Sequence, residues 1–241
     1  MPSPFMTAPS ATEWTTMDEP KQPAIKAPWP VVLLVLAIVG AYLAQSAWVD
    51  ETALILGYGF APVMLNEGRC LPLVTSMFLH GGWAHAGMNA LGALAFGVPT
   101  ARLLGLGYQS AQGRATIHGG LAFLLFFLVC GVLGSLGYGL VHRDGQAILI
   151  GASGGVAGLM GAASRMIDRP IGLSPFRSRT VIGMAAAWII VNLLMALTGL
   201  APGTGGIAIA WEAHLFGYAA GLLLIGPVAR IMRAQINNTI E

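Results

Sequence analysis

Between Trp29 and Trp48 the chain runs for twenty residues without a charge, and tryptophan stands at both ends. A helix of about 20 apolar residues is what the hydrocarbon of a bilayer demands, and Trp is enriched where lipid meets water. Five further segments read as spans: Trp83–Ala101, Gly119–Val141, Ala147–Ser164, Thr180–Leu200 and Gly205–Ala229. The fourth is short and rich in small residues, and the last contains Glu212 and His214. Only 9% of the 241 residues are charged, against about 25% in an ordinary soluble domain. So few charges cannot make a water-facing surface. The 33 glycines suit helices that pack backbone to backbone in lipid. The expected fold is therefore an all-α membrane protein of six transmembrane helices, spanning 29–229.

The basic residues give this bundle an orientation. Lys21, Lys26, Arg102, Arg114, Arg165, Arg169, Arg177, Arg179, Arg230 and Arg233 fall on one side of a six-span map, and only Arg69 and Arg143 on the other. The positive-inside rule then makes both termini cytoplasmic. Met1–Pro28, rich in Pro, Ser and Thr and without apolar periodicity, reads as a disordered cytoplasmic tail. It lacks the apolar core of a signal peptide. Residues 230–241 read as a short C-terminal tail. Cys70 lies in a loop and Cys130 in an apolar stretch, so no disulfide is expected between them. The connection from Val49 to Gly82 is about 34 residues long, a length that in compact domains usually goes with function. Its apolar pieces, Leu54–Leu56 and Leu71–Phe78, suit the membrane interface.

Ionisable and polar side chains inside a membrane are costly, so they are functional candidates. His85 and Asn89 are four residues apart on the second span and share a helix face. Ser153 lies early in the fourth span and His214 in the sixth. At 1.5 Å per residue, Asn89, Ser153 and His214 each come to roughly 9 to 14 Å below the outer surface. A Ser hydroxyl becomes a nucleophile when a neighbouring base takes its proton, and imidazole is suited to that task near neutral pH. His85, Asn89 and backbone N–H groups at Ser153 and Gly154 are candidate donors to the oxyanion of an acyl-transfer intermediate. Glu212 is about 200° around the helix from His214 and points away. A Ser153–His214 dyad is thus the reading, with no acidic third member. Gly217 and Gly221 follow His214 at spacings that favour close contact with the glycine-rich fourth span.

Each feature also has a plainer reading. A lone Ser in a Gly-rich helix is usually a packing residue, and His85 or Asn89 alone an interhelical hydrogen bond. His214 alone could be a proton relay. His80 reads as a brace before the second span, His118 and His142 as solvated loop edges, and Asn192 as interhelical glue. The plainer readings do not explain why four polar residues gather at similar depth.

Three motifs together resemble the rhomboid family of intramembrane serine proteases. They are the run TSMFLHGGWAHAGMN from Thr75 to Asn89, the GxSG match Gly151-Ala152-Ser153-Gly154, and the AHxxGxxxG match from Ala213 to Gly221. The resemblance covers all six spans. It implies a wet catalytic cavity open to the outer side, with Ser153 and His214 as the dyad and His85 and Asn89 as oxyanion partners. It implies substrates that are single-span membrane proteins, cut in or beside the membrane segment. The plain six-span core fits a bacterial plasma membrane, with a related organelle membrane as the alternative. It implies no cofactor or metal, and no nucleic-acid partner. The sequence departs from the family at two places. Leu71-Pro72 stand where a Trp-Arg pair is common, and Ala157 stands where an aromatic often packs on the catalytic His. His214 must then be held by another side chain, or less firmly. Two rivals remain beside this reading: a non-proteolytic binder of membrane clients on the same fold, and a small transporter using His214 and Glu212.

Overall fold

The computed structural model describes residues 27–105, 117–169, 172–199 and 210–240. Among them the chain is helical, with one antiparallel bridge between Phe60 and Leu149. Eight helices follow in order: α1 (Trp29–Ser46), α2 (Glu51–Tyr58), α3 (Pro72–Thr75), α4 (Trp83–Gly105), α5 (Ile117–Val141), α6 (Ser153–Ser164), α7 (Arg179–Thr198) and α8 (Trp211–Ile240). The expected tail Met1–Pro28 lies outside the described residues except for its last two positions, as do Arg114, Leu200 and the stretch 205–209.

Among the described residues, four helical stretches are long and apolar enough to cross a membrane: α1, α5, α7 and the Trp211–Ala234 part of α8. The other two expected spans correspond to α4 and α6. α6 has 12 residues and is about 18 Å long, well short of the roughly 30 Å hydrocarbon. The expected fourth span began at Ala147, but helix begins only at Ser153. The preceding residues are held by other bonds. Leu149 and Phe60 exchange both backbone hydrogen bonds, at 2.7 and 3.1 Å, and Gly151 donates its N–H to the Ser76 carbonyl at 2.8 Å. Gly151 has φ 116°, a conformation that glycine adopts without a Cβ penalty, and the chain turns there into α6. α8 starts at Trp211 and continues past the expected end at Ala229 through Arg230 and Arg233.

α6 is the centre of the molecule. Nearly all its residues are buried, and α4, α5 and α8 pack around it. Lipid tails are as apolar as leucine, so close van der Waals packing has to hold such helices together. The α6–α8 contact is made by glycine. A Cβ on Gly217 would strike the Gly154 carbonyl, one on Gly221 the Gly158 carbonyl, and one on Gly161 the Tyr218 carbonyl. On the α5 side, Gly155 faces Phe127 and Gly158 faces Cys130. α7 is different: Val181 and Asn192 are its buried residues, while most of its other side chains face outward.

The connection between α1 and α4 is well defined. Asp50 caps α2 by accepting the Ala53 N–H at 2.8 Å, and α2 buries none of its residues. The next segment inserts Pro72, Leu73, Ser76 and Met77 into the bundle, with Met77 filling the space above Gly131. Gln45 of α1 ties this loop down. Its amide accepts the His80 N–H at 2.9 Å and donates to the His80 carbonyl at 2.6 Å and to Glu51 at 2.8 Å. His80 is therefore a brace, its ring buried against Tyr42 and His85. That burial pushes the imidazole down from 6.5 to about 4. Cys70 and Cys130 are both free, the first exposed and the second buried.

Candidate active site

The turn at Gly151 places Ser153 as the first residue of α6. The first N–H groups of a helix have no intrahelical acceptor, and the helix dipole adds partial positive charge there. The Ser153 and Gly154 N–H groups belong to this end of α6, and the N-cap residue Ala152 offers no side-chain acceptor to them. His214 lies in the first turn of α8. The glycine contact between α6 and α8 brings the two residues together, with His214 Nε2 2.8 Å from Ser153 Oγ. The two side chains come from helices 61 residues apart in sequence and meet at hydrogen-bond distance.

His85 and Asn89 approach the same turn from α4. A Cβ on Gly151 would stand 2.7 Å from His85 Nε2 and 3.7 Å from Asn89 Nδ2, so only glycine leaves this space open. The Gly81 N–H donates to His85 Nδ1 at 3.3 Å. A neutral imidazole that accepts at one nitrogen carries its proton on the other, so the Nε2 side of His85 is a donor. Asn89 is buried, and its Nδ2 has no hydrogen-bond partner among the described residues. Two N–H donors and a helix N-terminus thus converge on the space beside Ser153, the arrangement that stabilises a developing oxyanion.

These residues line a cavity of about 550 Å³, within the range of small-molecule and peptide sites, whose wall also includes Trp188, Glu212 and His142. Glu212 does point away from His214, as its spacing predicts. It bonds His142 Nε2 at 2.8 Å instead. His142 is exposed, as expected, and its ring also lies 4.6 Å from that of Tyr138. His118 is exposed.

Asn192 is interhelical, as read from sequence, but its partner was not foreseen. Its Oδ1 lies 2.9 Å from His214 Nδ1, on the far side of the ring from Ser153. Trp188, one turn earlier on α7, went unnoticed in the sequence. Its indole N–H donates to the His214 carbonyl at 3.4 Å, and its ring lies 6.0 Å from the imidazole. The space that an aromatic at position 157 could occupy is thus served from α7, while Ala157 is buried. A tryptophan in the middle of a span, with an asparagine four residues later on the same face, was the available signal.

Among the described residues, no group of three or more His, Cys, Asp or Glu is placed to hold a metal ion.

Comparison with known proteins places this geometry in context. The Rhomboid domain family model matches residues 67–231, which takes in α3 to most of α8. The chain is also similar to the "Putative rhomboid protease YdcA" of Bacillus subtilis (strain 168), with 26% identity over 204 residues, covering 81% of this chain and 87% of that relative. With a family match over more than half of its length and helices built to span a bilayer, this chain is an integral membrane protein and belongs to the rhomboid family.

Proposed function

We propose that the chain is an intramembrane serine endopeptidase that cuts single-span membrane proteins in or near their transmembrane segments through a Ser153–His214 dyad. The observation that carries this reading is the 2.8 Å contact between Ser153 Oγ and His214 Nε2 inside a cavity. Family membership supports it. In this mechanism His214 takes the hydroxyl proton as Ser153 Oγ attacks the scissile carbonyl. The oxyanion is received by His85 Nε2–H, the Asn89 amide and the Ser153 and Gly154 N–H groups. His214 then gives the proton to the leaving amine, and a water activated by the same imidazole releases the acyl group. No metal or cofactor takes part.

The same reading has six spans, with α4 and α6 completing the four long helices, and both termini in the cytoplasm. It puts the site below the outer face of a bacterial plasma membrane, with the Ala147–Ile150 segment in the cavity wall. Co-expression with a panel of single-span membrane proteins tests the proposal. A fragment cut at or beside the membrane segment should appear with the wild type and vanish with Ser153→Ala. Fragments unchanged by Ser153→Ala would end it.

A further inference from the structure

Asn192 sits midway along α7, a helix that otherwise turns most of its surface outward. A buried amide in such a place is costly unless its hydrogen bonds are made, and both ends of this one are engaged. Nδ2 donates to the Trp188 carbonyl at 2.8 Å, and Oδ1 faces His214 Nδ1 at 2.9 Å. The first bond fixes the second. With the amide turned over, its oxygen would confront the Trp188 carbonyl oxygen. Oδ1 can only accept, so the proton of a neutral His214 sits on Nδ1, and the lone pair sits on Nε2. Nε2 is the atom that faces Ser153 Oγ. Trp188 holds the same histidine from behind by its bond to the His214 carbonyl and its ring contact.

We propose that Asn192 is a positioning residue for the catalytic base: it holds His214 in the tautomer and orientation in which Nε2 can take the Ser153 proton. The inference rests on the hydrolase reading above. It also gives α7 a task beyond walling the cavity, because the base is complete only while α7 is docked against α8 at this level. The competing role is packing alone, in which Asn192 merely joins two helices.

Three measurements separate these. In nitrogen-15 spectra of histidine-labelled wild-type protein, with His214 assigned by the signals lost in His214→Gln, the neutral ring should carry its proton on Nδ1. A proton on Nε2 overturns the proposal without any change at position 192. The rate of fluorophosphonate labelling, measured on the monodisperse fraction, should fall at least about 10-fold in Asn192→Ala, within the roughly 100- to 10,000-fold that a positioned general base contributes. Labelling at the wild-type rate overturns it. In Asn192→Asp a carboxylate would face Nδ1 and favour the charged imidazole. This variant should label faster than Asn192→Ala, with the acid limb of its pH profile moved up by about 1 unit or more. An unmoved limb contradicts the proposal, and packing alone gives no reason for it to move. The hydrolase reading fails separately, if folded wild type does not label or if labelling persists in Ser153→Ala.

Discussion

Asn89 and His80 show how differently two buried polar residues can be used. The Asn89 Nδ2 is buried and has no partner among the described residues, and an unsatisfied buried donor costs about 1–3 kcal/mol. A donor kept at that cost beside Ser153, the proposed nucleophile, fits a role that appears only when substrate is bound. Asn89→Ala should therefore lower turnover by about 100- to 1000-fold with no loss of thermal stability, measured by cleavage rate and by unfolding in detergent. Full activity would remove Asn89 from the site. His80 is bonded through its backbone to Gln45, and its buried ring nitrogens also lack a hydrogen-bond partner among the described residues. Its folded pKa of about 4 lies below the ordinary 6.5, so between these values the unfolded chain binds more protons than the folded one. The contribution of neutral His80 is complete above about pH 6.5 and is lost as pH falls toward 4, by up to about 1.4 kcal/mol per pH unit. Stability measured against pH in this window should be flatter in His80→Phe than in wild type; an identical slope would contradict the account.

Among the helices, the α6–α8 contact sets the site. Gly221 meets the Gly158 carbonyl so closely that any Cβ forces the helices apart. Gly221→Val should destabilise the fold by about 1–3 kcal/mol or more and reduce labelling at Ser153, because the same separation parts Ser153 from His214. Gly183→Ala on α7 is the control: nothing lies within 4 Å of its Cβ position, and neither stability nor labelling should change. Equal effects of the two substitutions would sink the idea of a glycine-set distance. This contact was legible in sequence, because spacings of three and four in a Gly-rich helix specify a face. The start of α6 was not. Ala147–Ile150 is an apolar run, and short apolar runs do not distinguish helix from extended chain. The pairing of Leu149 with Phe60 decided it, a contact between residues far apart in sequence. Asn192 was legible as a residue that needed a partner in lipid, but which partner depends on how α7 docks, and no local pattern records that. The pairing of His142 with Glu212 was invisible for the same reason, since the two lie 70 residues apart.

At the scale of the whole molecule, family membership and four long apolar helices stand beside a proposed map of six spans. α4 falls outside the four because its stripe of glycine, histidine and asparagine lowers its apolarity, and α6 because it is short and enclosed by protein. Both fit the proposed site. A helix that carries catalytic groups and meets its neighbours through glycine gives up the composition that makes a span obvious. The charge distribution still separates the two faces, so a C-terminal green fluorescent protein fusion should fluoresce and a C-terminal alkaline phosphatase fusion should stay inactive; the reverse pattern would overturn the orientation. The central claim is that the Ser153 hydroxyl is activated by His214 within the membrane protein. Its most direct test is covalent labelling of the folded full-length chain by a fluorophosphonate, with the modified residue identified by mass spectrometry. Modification is expected at Ser153, absent in Ser153→Ala and strongly reduced in His214→Ala. Folded wild-type protein that does not react, or that reacts as well without the residue 214 imidazole, would contradict it.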